Sequence, residues 1–201
     1  MVSDSLKPWV VGLLTVASVA YFVHDRAGHR RVAHSGTVAD SPIQANTREA
    51  ALERAGYVIE PVATYTVRAR VLSIERYHFG READLSPVDF ALGWGPMSDS
   101  EVLDRLTITQ SNRWYQYRWQ GAPPIDPALI ISSSANTHLV PANDSIKSRL
   151  LNVHPGAVVT LSGYLVNIKH PDGWNWSSSL RRDDTGGGSC ELMWVTDVSV
   201  E

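Results

Sequence analysis

Apolar and polar positions alternate along most of the chain from Tyr57 onward. In ATYTVRARVLSIERYHF (63–79), Tyr65, Val67, Ala69 and Val71 fall on one side and Thr66, Arg68 and Arg70 on the other. That is the period of a half-buried strand. LTITQSNRWYQYRW (106–119), ALIISSS (128–134), GAVVTLSGYLVNIKH (156–170) and CELMWVTDVSV (190–200) predict further strand regions. Helical signals are short. TREAALERAGY (47–57) predicts a helix stopped by Gly56. SDSEVLDRL (98–106) predicts one capped by Ser98 with Glu101 three residues on, and NDSIKSRLLNV (143–153) one stopped by HPG (154–156). The sum is a mostly β (α+β) domain with two or three short helices.

The start of the chain breaks this pattern. WVVGLLTVASVAYFV (9–23) is uncharged and follows Lys7; with Pro8 it approaches the ~20 residues of a spanning helix. One reading is a signal peptide cleaved after the small-x-small triplet Ser18-Val19-Ala20. The other is an uncleaved transmembrane anchor over 1–23, with Trp9 and Tyr21 as interfacial aromatics. The anchor explains why the apolar run continues through Val23, and we adopt it. Residues 24–46 are small, polar and aperiodic, which predicts a flexible linker. His24, His29 and His34 lie there unordered, so no metal site is expected. Residues 47–201 then form a single globular domain. Arg26, Arg30 and Arg31 favour a cytoplasmic domain by the positive-inside rule. The order of charge, short apolar core and small residues favours export, and we expect a single-pass bacterial inner-membrane protein with a periplasmic domain.

Composition narrows the function. The chain is 43% hydrophobic and 19% charged, with seven Trp and seven Tyr, ample for a packed core. Residues 57–201 carry 12 Lys and Arg against 16 Asp and Glu, so a nucleic-acid partner is not expected. One cysteine excludes an internal disulfide, and no Cys/His spacing suits zinc. No cofactor motif is present. The order of helix, HPG, strand bearing Gly163, loop and final strand resembles the closing half of OB-like barrels, where a glycine lets a strand turn a corner. It implies a small OB-like or curled β-barrel. ALGWGPMSD (91–99), RWY (113–115), SANTHLVPA (134–142) and SSLRRDDTGGGSCE (178–191) resemble a family of bacterial membrane-anchored proteins. That resemblance implies an N-terminal anchor and one compact domain, and no activity.

RRDDTGGGSCE (181–191) holds the densest candidate chemistry. Asp184-Thr185-Gly186 has the letters of an aspartic-protease loop, but it follows charged Arg181-Arg182-Asp183 instead of an apolar strand, and occurs once. A phosphate loop needs a helix and a lysine after the glycines; a strand pattern follows instead. The plain reading is a glycine-rich loop feeding the last strand. Cys190 paired with His138 remains a nucleophile and base to test, with Asp183 or Asp184 as alternatives to the thiol. Trp94, in GWGPMSD, serves as a lid or plugs the barrel. RWYQYRW sets Arg113, Tyr115, Tyr117 and Trp119 on one face and Trp114, Gln116 and Arg118 on the other, which packs the core or forms an aromatic and guanidinium platform. Trp94, Arg113, Tyr115, Arg181 and Arg182 are therefore the candidate ligand contacts. The expected function is a membrane-tethered binding or scaffolding domain of the cell envelope, its partners the bilayer and an envelope protein or small ligand. The alternative is an envelope hydrolase using His138 with Cys190 or with Asp183 or Asp184.

Overall fold

A computed structural model describes residues 37–201. The expected anchor (1–23) and linker residues 24–36 lie outside this range. Among the described residues no helix is long and apolar enough to cross a membrane.

The described residues hold ten strands, in the order β1 (Ile43–Asn46), β2 (Leu52–Arg54), β3 (Tyr57–Arg76), β4 (Val88–Gly93), β5 (Thr107–Ser111), β6 (Trp114–Arg118), β7 (Ser134–Pro141), β8 (Val158–Lys169), β9 (Asn175–Ser177) and β10 (Glu191–Val200). Short helices α1 (Arg81–Leu85), α2 (Ser100–Leu103), α3 (Pro127–Ser132) and α4 (Asp144–Leu151) intervene, with a 3-10 turn at Gly95–Ser98. The domain is mostly β, built on a ring of strands. β3 pairs with β4, β4 with β7, β7 with β10, β10 with β8, and β8 with β3 again. Only the β7–β10 contact within this ring is parallel.

Ring closure depends on β3, whose 20 residues serve two neighbours: Val58–Arg70 pairs with β8 and Arg70–Arg76 with β4. Register shifts at Pro61/Ala63 and Val71/Ser73 bend it, and Pro61 sits at a bulge, where its missing N–H costs no ladder bond. Gly163 is the other corner. A Cβ there would stand 1.9 Å from the Trp194 carbonyl oxygen, opposite the register shift between Val195 and Asp197, so only glycine lets β8 and β10 approach.

The alternation read from the sequence sorts side chains between the inside and outside of the ring. Tyr65, Val67, Phe90, Leu92, Leu139, Leu161, Met193 and Val195 fill the interior, joined by Ile146 and Leu150 of α4. Leu192, Trp194, Val140 and Ile168 pack outside with Trp174 and Trp176. A third cluster joins Leu72, Ala91, Met97 and Ile130 to Ile108, Tyr115, Tyr117 and Trp119. It seats the separate β5–β6 hairpin on the outside of the ring. All three clusters are built from residues 37–201, which belong to one compact unit.

Four expectations are corrected. TREAALERAGY is not a helix: Leu52–Arg54 pairs with Tyr57–Ile59 around Ala55 and Gly56, both at positive φ (51° and 83°), a two-residue hairpin turn. ALIISSS is largely helix α3, whose N-cap Asp126 accepts from the Ala128 N–H, with Pro127 in the first turn. The helix expected after Ser98 is capped by Asp99, whose carboxylate accepts from the Glu101 N–H. Residues 37–46 are docked and not free linker. Val38 is buried, its N–H donates to Ser98 Oγ (2.7 Å), its carbonyl accepts from Gly95 N–H (2.6 Å), and β1 pairs with β3.

Candidate functional site

SANTHLVPA, which the alternation does not mark as a strand, is the buried strand β7. Because Leu139 faces the interior, Asn136, His138 and Val140 face outward, under the hairpin and β9. Cross-strand register sets Asp89 of β4 opposite His138. Asp89 is fully buried, and its carboxylate is held from two sides. His138 Nδ1 lies 2.8 Å from Oδ2 and Arg113 Nη1 lies 2.6 Å from Oδ1. An ionised acceptor here places the Nδ1 proton on the imidazole. The His138 ring also packs against Trp176, with centroids 4.8 Å apart.

Arg113 reaches Asp89 from the hairpin's tip. Asn112 and Arg113 form the two-residue turn with φ of 53° and 68°, a left-handed pair that asparagine tolerates and arginine does not favour. Contacts hold Arg113 there. Its N–H donates to the Tyr77 hydroxyl (3.0 Å), its Nη2 to the Ser86 carbonyl (2.9 Å), and its guanidinium lies 3.5 Å from the Tyr77 ring centroid. Its carbonyl accepts from Asn136 Nδ2 (3.0 Å). Arg113 is thus the pin that fixes the hairpin to the ring.

A second buried charge pair lies at the interior side of β10. Glu191, next to Met193 by alternation, is 1% exposed and ion-paired to Arg182. Arg182 also donates to the Tyr65 hydroxyl (3.1 Å). Burial pushes the Glu191 carboxyl up to about 8 against the opposing pull of Arg182. Glu191 Oε2, Arg182 Nε and Thr137 Oγ1, the last in register with Glu191, are buried without a hydrogen-bond partner.

These two pairs flank a cleft of about 200 Å³. One wall is the hairpin strand with Trp114, Tyr115 and Tyr117; the floor is Ser134, Ala135 and Asn136 of β7; the other wall is Arg181, Arg182 and Asp184 to Gly186, with Ser189 and Cys190. Of the candidates, Tyr115, Arg181, Arg182, Asp184 and Cys190 meet here. Arg113 borders the cleft only through its carbonyl, which lies 3.8 Å from Cys190 Sγ. Trp94 is elsewhere, buried in the interior cluster as a plug. His138 is not a lining residue, and its hydrogen bond goes to Asp89 instead of Cys190, Asp183 or Asp184. Asp183 pairs with Arg181 at the surface, and Asp184 accepts from Ser179 Oγ (2.7 Å). The described contacts therefore assemble no nucleophile–base pair from the residues considered for a hydrolase.

Burial pushes the Cys190 thiol up to about 11, so the thiolate is scarce near neutrality. Iodoacetamide is expected to label the folded protein at least about ten-fold more slowly than the unfolded chain. Cys190→Ser is expected to cost about 1 kcal/mol. Labelling at the unfolded rate would show a reactive thiol.

Asp89 and Glu191 were missed as site residues, although a signal was present. Each is an acid embedded in an apolar strand, VDFALG and ELMWV, and a buried acid requires a cation or a proton. Among the described residues no group of three or more His, Cys, Asp or Glu is placed to hold a metal ion. Comparison of the chain with protein-family models, curated proteins and solved structures gives no match.

Proposed function

We propose that the domain is an OB-like barrel serving as a membrane-tethered binding or scaffolding module of a bacterial cell envelope, with its ligand in the cleft. Strand order supports the OB-like reading: counted in chain order, the ring runs first, second, third, fifth, fourth, with α4 between third and fourth. In such barrels the face of the second and third strands commonly carries an extended ligand. Here the β5–β6 hairpin lies over that face, and the acidic balance of the domain opposes a polyanion. Binding is left to the hairpin's edge. The observation that carries the reading is the meeting of Trp114 and Tyr115 with the 181–190 loop across β7.

The ligand class follows from which charges are taken. Arg181 is paired with Asp183, and the Arg182 guanidinium is engaged by Glu191, the Tyr65 hydroxyl and the Ser179 carbonyl, whereas Asp184 is held by a hydroxyl. The cleft therefore favours a small neutral or cationic molecule with a flat apolar face against Trp114. Benzylamine, benzyl alcohol and benzoate test this by amide shift mapping. The first two are expected to move Trp114, Asn136, Gly186 and Ser189, with Asp184→Asn weakening the amine alone. Equal shifts from benzoate, or none in the cleft, would contradict it.

The tether has its own test. Full-length chain is expected to sediment with membranes, and a chain beginning at residue 32 to stay soluble. Unprocessed full-length protein in the soluble fraction would remove the anchor from the account.

A further inference from the structure

We infer that the ligand of the cleft is an extended, basic peptide segment that pairs as a third strand with the free edge of β6. This rests on the cleft being a binding site and adds the main chain as what is recognised.

The turn at Asn112 and Arg113 fixes which way the hairpin's main-chain groups point. A two-residue turn closes on a hydrogen-bonded pair, here Ser111 with Trp114. Antiparallel pairs then alternate, so Thr109–Gln116 and Thr107–Arg118 also bond inward. The N–H and C=O groups of Tyr115 and Tyr117 therefore point away from β5. Among the described residues no further strand pairs with β6, and no other backbone hydrogen bond reaches residues 114–118.

That edge faces the cleft. Trp114, Tyr115 and Tyr117 of β6 line it, and no residue of β5 does. Exposed edges are usually blunted by proline, lysine, a bulge or a covering element. WYQYR has no proline or lysine, and its pairing to β5 runs in unbroken register. Its support is firm: Tyr115 and Tyr117 pack on the cluster that seats the hairpin, and the Tyr115 hydroxyl donates to Ser134 Oγ (3.4 Å). The edge is presented ready for pairing.

A row of unpaired main-chain donors and acceptors selects an extended backbone, the mode of strand addition. The opposite wall sets the charge. Asp184 stands there with the Ser179 hydroxyl as partner (2.7 Å) and no ion pair among the described residues, while both arginines of the loop are engaged. Lysine or arginine side chains on the peptide complement it, and glutamates oppose it. Trp114, 45% exposed, offers an aromatic side chain of the added strand a cross-strand neighbour.

The test uses the isotopically labelled full-length chain and the blocked pentapeptide Thr-Lys-Tyr-Lys-Thr. Millimolar binding is expected to slow hydrogen exchange at the Tyr115 and Tyr117 amides about ten-fold at saturation. Gln116, already bonded to Thr109, should be unchanged. Thr-Glu-Tyr-Glu-Thr should bind at least about five-fold more weakly. N-methylation separates main chain from side chains, because alternate amides of the added strand face the edge. Of two peptides, one methylated at both lysine nitrogens and one at the tyrosine and last threonine nitrogens, one should lose about ten-fold in affinity and the other keep it. Binding that survives both methylations, or that leaves exchange at Tyr115 and Tyr117 unchanged, overturns strand addition. If benzylamine moves the cleft resonances and the pentapeptide does not, the inference fails and the cleft reading stands; if neither moves them, both fail.

Discussion

Arg113→Ala is expected to destabilise the domain by about 3–5 kcal/mol, the cost of breaking a buried ion pair from one side. Asp89 is fully buried, and losing the guanidinium leaves its charge with His138 and a long contact to Ser86 Oγ (3.4 Å). The stacking on Tyr77 at 3.5 Å goes as well, while the left-handed backbone at φ 68° remains for alanine to bear. Arg113→Lys should fall between, because an ammonium keeps the charge but cannot span Asp89 and the Ser86 carbonyl together. Adding Asp89→Asn to Arg113→Ala should recover part of the loss, since no unpaired charge then stays buried. Denaturant titration of the four proteins reads this directly. A loss under about 1 kcal/mol for Arg113→Ala would mean that the hairpin is held by Tyr115 and Tyr117 packing alone.

The second large effect is a pH dependence carried by Glu191. Its carboxyl is raised to about 8 in the fold, so between its ordinary value and about 8 the folded state binds a proton that the unfolded state has lost. The contribution is full below the unfolded value and disappears as pH rises through the folded one. Stability should therefore decline from about pH 5 to about pH 9, by an amount on the order of 3 kcal/mol. For a domain of this size that is roughly 6–12 °C in Tm. Glu191→Gln keeps the shape without the titration and should flatten the slope, whatever the histidines contribute to both proteins. Parallel pH profiles for the two proteins would contradict a proton on Glu191.

Much of the fold was legible in the sequence, and the exceptions have physical causes. β3, β8 and β10 showed clear alternation because each has an apolar inner face. α4 was legible because Asn143 caps it and the HPG turn follows. SANTHLVPA hid its strand because its outward residues are polar yet covered: Asn136 Oδ1 accepts from Gln110 and His138 bonds Asp89. Burial without apolarity has no sequence signature. ALIIS fits a short buried strand and a buried helix equally, and the Asp126-Pro127 start was the cue that decided it. TREAALERAGY has strong helix formers, overridden by pairing to β3.

The site was half legible. Of the candidates read from the sequence, Tyr115, Arg181, Arg182, Asp184 and Cys190 line one cleft, whereas Trp94, His138 and Asp183 do not. Arg113 stands at the edge of the cleft, with its side chain on Asp89. An arginine leading into Trp114 and Tyr115 reads as part of a platform; only the turn at Asn112 and Arg113 shows that its side chain points back into the ring.

The most direct test of the central claim, that the cleft beside the 181–190 loop is a binding site, is a crystallographic fragment soak of the domain. The account predicts that neutral and cationic aromatic fragments collect between Trp114 and Asp184, above Asn136, with the hairpin tip still pinned at Asp89. Fragments that bind only elsewhere, or a loop closed down on Tyr115 with no space between, would contradict it.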